Sequence, residues 1–213
     1  MDRAGTATCL DECLWLIEER DMADGMLTTA PFNLVPKAAF FTKGKGTHRE
    51  RLNSFEMALR AAGIAHLNLV KVSSIFPPRC RIMGKKRGLS YLTPGQITFC
   101  VMAENATNEP SRLISAAVGL ARPRDKDRWG YISEHHSFGE TSEKAGDYAE
   151  DLAATMLATV LDLEFDPDTD YNERKEIYEM SGEIVESRAV VQTAEGHKNG
   201  LWTTVVAALV FIL

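Results

Sequence analysis

Two adjacent serines, Ser73 and Ser74, lie between an apolar run at residues 67–72 and the dipeptide Pro77-Pro78. Serines commonly begin turns, so the pair has an ordinary structural explanation. It also permits chemistry, because the Ser74 hydroxyl can attack the Ser73 carbonyl and exchange the amide for an ester. Elimination then cuts the chain and leaves dehydroalanine, which loses ammonia to water and becomes a ketone. The pair by itself leaves both interpretations open.

Two other motifs are weaker candidates for a functional site. The glycine-rich stretch at residues 43–47 lacks the spacing of a phosphate-binding loop, so we predict a turn without nucleotide binding. Glu134, His135 and His136 could suggest metal ligands, but alternation along a strand sends His135 to the face opposite the other two. Because no second cluster of histidines or cysteines supplies the missing ligands, we expect no metal.

Charge and hydropathy argue against several classes of partner. The formal net charge of -6 is unfavourable for binding a nucleic-acid backbone, which needs concentrated lysine and arginine. The basic run from Arg79 to Arg87 has one nearby aromatic, Tyr91, and is interpreted as a solvated loop. The apolar run at residues 205–213 is too short to span a bilayer and predicts a buried strand. We expect neither a nucleic-acid nor a membrane partner.

The cysteines show no CxxC pair and no companion histidines at zinc spacing. We also find no basic segment with a small-residue cleavage site at the start of the chain, so a signal peptide is not expected. The cysteines are therefore interpreted as reduced thiols of a cytoplasmic protein. They are Cys9, Cys13, Cys80 and Cys100.

The elements that must position the serine pair begin at about residue 36. Strands outnumber helices, and residues 113–134 hold no helix, so the pattern favours a layered α+β sandwich over a doubly wound parallel sheet. Residues 1–35 are expected to form an arm with a short amphipathic helix, and either this arm docks on the domain or the natural start of the chain is Met26. Strands are predicted at residues 38–42, 67–72, 97–103, 113–121, 130–134, 184–192 and 201–213, and helices at residues 53–62, ended by Gly63, and 143–161.

Several longer motifs together resemble the pyruvoyl-dependent arginine decarboxylases, and the resemblance covers about residue 36 to the C-terminus. The segment Ser133-Glu-His-His-Ser-Phe-Gly-Glu140, followed by a long acidic helix, is most similar to the bacterial branch. The most specific motif is Asn68-Leu-Val-Lys-Val-Ser-Ser-Ile-Phe-Pro-Pro78. The others are Ser54-Phe-Glu-Met-Ala-Leu-Arg-Ala-Ala-Gly-Ile64, Leu92-Thr-Pro-Gly-Gln96, Ile114-Ser-Ala-Ala-Val118, Gly130-Tyr-Ile-Ser-Glu134 and Gly200-Leu-Trp-Thr-Thr204.

The resemblance implies autocatalytic cleavage between Ser73 and Ser74, giving a β chain of residues 1–73 and an α chain of residues 74–213. Position 74 would carry a covalent pyruvoyl group, with no metal and no pyridoxal phosphate. This group would decarboxylate L-arginine to agmatine and carbon dioxide through a Schiff base. The implied fold is a four-layer αββα sandwich, assembled as a trimer or a dimer of trimers with active sites between protomers.

The resemblance also implies roles for individual residues. Glu134 matches the glutamate that protonates the product carbon, and Asn68 matches an asparagine that orients the scissile carbonyl or the substrate. Glu56 matches the acidic residue that binds the arginine side chain in a neighbouring protomer's site, where archaeal members carry an aspartate. The carboxylate that cleavage creates on Ser73 would remain near the substrate pocket.

Two alternatives remain beside arginine decarboxylation. The same chemistry could act on another basic amino acid, histidine or lysine, which the amine formed would reveal. The chain could also be an uncleaved, inactive scaffold that has kept the fold. Ser74, Asn68 and Glu134 are all present, which disfavours the scaffold.

Overall fold

The computed structural model describes residues 34–161 and 184–213, and strands dominate these two ranges. The strands are β1 (Ala38–His48), β2 (Asn68–Lys71), β3 (Ile75–Phe76), β4 (Arg81–Ile82), β5 (Ile97–Thr107), β6 (Leu113–Pro123), β7 (Gly130–Phe138), β8 (Ile184–Glu195) and β9 (Trp202–Ile212). The helices are α1 (Arg51–Ala62), α2 (Lys85–Leu89) and α3 (Ser142–Val160). The prediction of an α+β fold is confirmed. The helix predicted within residues 1–35 lies outside the described residues.

The strands form two sheets, ordered β2-β5-β9-β1-β4 and β3-β7-β6-β8. In the first sheet β9 is central and pairs antiparallel with both β1 and β5. The apolar C-terminal run therefore forms a buried strand, as predicted. In the described ranges no helix has the length and apolar character needed to cross a membrane.

Alternation along β9 shows what covers each face of the first sheet. Val205 and Leu209 belong to an apolar cluster that also contains Ile114 and Ile132 of the second sheet. The intervening Val206 joins a separate cluster with residues of α1. Because successive side chains of a strand point to opposite faces, one face meets the second sheet and the other meets α1. Two such sheets are compatible with a sandwich.

The prediction of a glycine-rich turn at residues 43–47 is wrong, because β1 runs straight through this stretch. A Cβ atom at Gly44 would lie 2.1 Å from the carbonyl oxygen of Ala58 in α1, and one at Gly46 would lie 2.3 Å from that of Ser54. The glycines therefore let α1 approach the strand backbone closely. The helix ends at Gly63 in a left-handed conformation (φ +80), as predicted.

Helix α3 covers the second sheet in the same way. Its alanines Ala145 and Ala149 cluster with Ala117 of β6. A Cβ atom at Gly119 would lie 2.1 Å from the carbonyl oxygen of Ala149, so this contact also requires a glycine. The helix predicted at residues 143–161 is thus confirmed to within a residue at each end, and the Thr141 hydroxyl caps its N-terminus.

Several predicted boundaries were too short. Strand β7 was expected to end at Glu134 but continues to Phe138, paired with β6 throughout. Strand β5 continues past Ala103 to Thr107, paired with β9. The basic run interpreted as a solvated loop contains the short elements β4 and α2. In these places backbone pairing or local helix geometry outweighs the polarity of the side chains.

Candidate active site

The Ser73–Ser74 peptide bond lies where the chain passes from one sheet to the other. The amide of Val72 donates to the Cys100 carbonyl of the first sheet at 3.0 Å. Only two residues later, the Ser74 carbonyl accepts from the Ile132 amide of the second sheet at 2.7 Å. Ser73 between them is exposed, and Ser74 is half-buried. The bond is therefore held on both sides by different sheets.

Strand register brings Glu134 to the same side of β7 as Ser74. Strand β3 pairs antiparallel with β7 through Ile75 and Tyr131, and the Ser74 carbonyl extends this pairing to Ile132. Directly opposed residues in such a pair share a face, so Ser74 and Ile132 point the same way. Glu134 lies two residues beyond Ile132 on that face, about 7 Å further along the strand. The structure thus brings Ser74 and Glu134 to one edge of the space between the sheets.

The carboxyl group of Glu134 is in a perturbed environment. The residue as a whole is solvent-accessible in the single chain, but surrounding protein atoms partly desolvate the carboxyl group and so raise its pKa. The negative charge of Glu104 adds to the rise. The positive charges of Lys71 and His136 oppose it. Lys71 Nζ also lies 3.3 Å from Glu104 Oε2. A raised pKa is the direction that a proton donor near neutral pH requires.

His135 points away from this site, as strand alternation predicts. Its Nε2 atom lies 2.8 Å from Glu140 Oε2, and its ring centroid is 4.4 Å from that of Tyr148 in α3. Its hydrogen bond to Glu140 lowers the pKa of that carboxyl. The side chains of the Glu134-His135-His136 motif therefore lie on two opposite faces of β7 and do not converge on one point.

Asn68 is not brought to Ser74 within one chain. Its Nδ2 atom donates to the Gly95 carbonyl at 2.6 Å, and the side chain is exposed. Val72 lies four positions further along the extended chain, which corresponds to about 13 Å.

Glu56 is also remote from Ser74 within the chain. It lies on α1, which covers the outer face of the first sheet, whereas Ser74 lies at the edge between the sheets. Its Oε1 atom accepts from Arg60 Nε at 2.6 Å, one helical turn away. A guanidinium group therefore already occupies this carboxylate in the single chain.

Lys71 and Glu104 were not identified from the sequence as part of the site. Lys71 is a charged residue between two valines, three positions before Ser74, which was an available signal. Glu104 lies beyond the predicted end of β5, so its proximity to Lys71 became visible only with the full strand.

Comparison with known proteins identifies the family. The family described as pyruvoyl-dependent arginine decarboxylase matches residues 38–213. The chain is 60% identical over 178 residues to a protein of Chloroherpeton thalassium named probable pyruvoyl-dependent arginine decarboxylase, covering 84% of this chain and 98% of the relative. A relative from Chlorobium limicola with the same name is 59% identical over 180 residues, covering 84% of this chain and 99% of the relative.

A third relative, from Methanococcoides burtonii, is named pyruvoyl-dependent arginine decarboxylase. It is 57% identical over 180 residues, covering 84% of this chain and 100% of the relative. The serine pair thus lies where the chain passes between the two sheets, and Ser74 shares a face of the second sheet with Glu134. The chain belongs to the pyruvoyl-dependent arginine decarboxylase family.

Proposed function

We propose that this protein decarboxylates L-arginine to agmatine and carbon dioxide, using a pyruvoyl group that it generates from Ser74. The family match over residues 38–213 supports the activity. The observation that carries the proposal is the position of the Ser73–Ser74 bond. The residues on either side of this bond are hydrogen-bonded to different sheets, and Ser74 lies on the same face of the second sheet as Glu134.

The proposed self-processing needs no external reagent except water. The Ser74 hydroxyl attacks the Ser73 carbonyl, and the amide becomes an ester. Elimination releases the Ser73 carboxylate and forms dehydroalanine at position 74, whose hydrolysis releases ammonia and leaves the pyruvoyl ketone. The hydrogen bonds of Val72 to the first sheet and of the residue-74 carbonyl to Ile132 would hold both new ends in place.

A pyruvoyl ketone at position 74 would supply the electron sink for decarboxylation that amino-acid side chains lack. The Ile132 amide donates at 2.7 Å to the adjacent carbonyl of residue 74, where it stabilises negative charge as an oxyanion-hole donor does. Glu134, whose pKa is raised by burial, donates the proton to the substrate carbon that loses carbon dioxide. Lys71 and Glu104 tune the charge of this carboxyl.

Recognition of arginine is assigned to Glu56 and, for orientation, to Asn68 and the new carboxylate of Ser73. The contact of Glu56 with Arg60 at 2.6 Å supports its ability to accept a guanidinium group. Because neither Glu56 nor Asn68 lies near Ser74 in the same chain, we propose active sites between protomers of a trimer or a dimer of trimers.

The remaining parts of the proposal concern architecture and location. A four-layer αββα arrangement is supported by one apolar cluster between the sheets and by separate clusters under α1 and α3. A cytoplasmic location is supported by the free, buried thiols of Cys80 and Cys100. No metal or pyridoxal phosphate is required by this chemistry.

Denaturing electrophoresis and intact mass of the purified protein test the cleavage. Two fragments should appear, ending at Ser73 and beginning at position 74, and the second should resist N-terminal sequencing because a ketone replaces its amine. The Ser74→Ala variant should remain intact and inactive. A single full-length species that retains the Ser74 hydroxyl would refute the proposal and favour an inactive scaffold.

Chromatography of the amines formed tests the substrate. Agmatine should be the main product when arginine, lysine and histidine are offered at equal concentration. Preferential formation of cadaverine from lysine, or of histamine from histidine, would be consistent with the pyruvoyl chemistry but would show that arginine is not the preferred substrate.

A further inference from the structure

A cavity of about 210 Å³ lies at the C-terminal end of β3, outside the site described above. Phe76 and Gly130, which pair between β3 and β7, contribute to its lining. The rest comes from two segments: the chain from Pro77 to Arg81, and the end of β6 with the turn that follows it, from Arg122 to Arg128. Its charged lining residues are Arg79, Arg81, Arg122, Lys126, Arg128 and Asp125.

The cavity keeps an excess of positive charge after its ion pairs are counted. Arg79 pairs with Asp127, and Arg122 Nη1 lies 2.6 Å from Glu186 Oε2. Within residues 34–161 and 184–213, no ion pair engages the other three cations, Arg81, Lys126 and Arg128. They face one carboxylate, Asp125, in the lining. The whole chain has a formal net charge of -6, so this local excess of positive charge is opposite in sign to the net charge of the protein.

The buried Cys80 thiol in the lining does not offset this charge. Burial raises its pKa to about 11, so the thiol stays neutral at physiological pH. The backbone amide of Arg79 donates to the Lys126 carbonyl at 2.9 Å, which fixes the two basic segments against each other. The cations are therefore brought together by the fold and are not simply neighbours in sequence.

The volume of the cavity and the chemistry of its hydrogen-bond donors restrict the class of ligand that it can bind. Pockets for drug-sized molecules usually measure about 300–1,000 Å³, so a cavity of about 210 Å³ suits a smaller species. Guanidinium groups match the oxygens of phosphate and carboxylate in forked geometry, and several converging cations favour more than one negative charge. We propose that this cavity binds a small multivalent oxyanion of the phosphate class.

Isothermal titration of the processed, full-length protein with inorganic phosphate and with pyrophosphate tests this site. Chloride at matched ionic strength controls for general screening. Saturable binding of either phosphate species is expected. Each charge-assisted hydrogen bond is worth about a tenfold change in affinity, so Arg81→Gln combined with Arg128→Gln should weaken binding by at least about tenfold.

Arg87→Gln is the matched control, because Arg87 is exposed, belongs to the same basic run and does not line the cavity. It should bind phosphate as the unmodified protein does. Equal weakening by Arg87→Gln would show diffuse surface attraction and overturn the proposal. Absence of saturable binding, or tighter binding of succinate than of both phosphate species, would overturn it as well.

Discussion

Replacing Arg60 by glutamine probes the proposed guanidinium acceptor directly. In the single chain Arg60 Nε lies 2.6 Å from Glu56 Oε1, so an arginine substrate must compete with this neighbour for the carboxylate. The two side chains are 72% and 42% exposed, which places the pair among solvated helix pairs worth about 0.3–0.5 kcal/mol. Removing the competitor should therefore lower the KM for arginine by about twofold and leave kcat unchanged.

Initial rates of agmatine formation at low ionic strength would measure this change. Raising the salt concentration should shrink the difference, because exposed charges are screened. A double-mutant cycle with Glu56→Gln supplies the control, since Arg60→Gln should have no effect once the carboxylate is gone. If Arg60→Gln raises KM, or lowers it equally in the Glu56→Gln background, Arg60 does not compete at Glu56 and the reasoning fails.

Three further changes test the site and its support. Glu134→Gln should still be cleaved but lose about 10²–10⁴-fold in kcat, measured as agmatine formed by the processed protein; near-normal turnover would assign the proton donor elsewhere. Lys71→Met should raise the pKa of Glu134 further, because the lysine charge now lowers it, so the decline of kcat at high pH should move to higher pH. An unchanged or acid-shifted limb would contradict that electrostatic coupling. Gly44→Ala, whose Cβ would lie 2.1 Å from Ala58 O, should reduce the free energy of unfolding by about 1–3 kcal/mol or more in urea. Gly84→Ala, with no atom within 4 Å of its Cβ, is the matched control, and equal losses would show that close packing on α1 is not the cause.

Apolar periodicity predicted most elements of the fold, because it reports directly which face of a strand or helix is buried. It succeeded for α3 and for β9, where the apolar pattern is continuous. It failed at residues 43–47, where the glycines suggested a turn. The missing side chains of these glycines allow the backbone of α1 to pack closely on the strand. This is a tertiary contact, and the local sequence of the strand does not predict it.

Polar side chains near the C-terminal ends of β5 and β7 also caused these strands to be predicted too short. Strand pairing continues through Glu104 and through His136, because the backbone hydrogen bonds do not depend on side-chain polarity. Asn105 even uses its side chain to join the sheets, donating to the Ser137 carbonyl at 2.8 Å. Strands that carry such contacts cannot be followed by hydropathy alone.

The candidate site was predicted as single residues, and the structure relates only some of them. Ser74 and Glu134 lie on the same face of the second sheet because of the register between β3 and β7, which no local spacing encodes. Asn68 and Glu56 lie elsewhere in the chain, so their roles stay predictions that concern an assembly. Family resemblance supplied those roles, whereas the physical pattern of the sequence could not.

The strand order of the first sheet has a consequence for the proposed cut. Strands β1 and β2 precede Ser73, whereas β4, β5 and β9 follow it, and the order β2-β5-β9-β1-β4 interleaves the two groups. The β1–β9 ladder alone runs from Ala38↔Ile212 to His48↔Trp202. Strands of the two fragments would therefore remain hydrogen-bonded to each other in one sheet after the covalent link is lost. Rebuilding this sheet from the denatured state would then require two separate fragments to associate, so even the folding of one protomer would become dependent on protein concentration after cleavage.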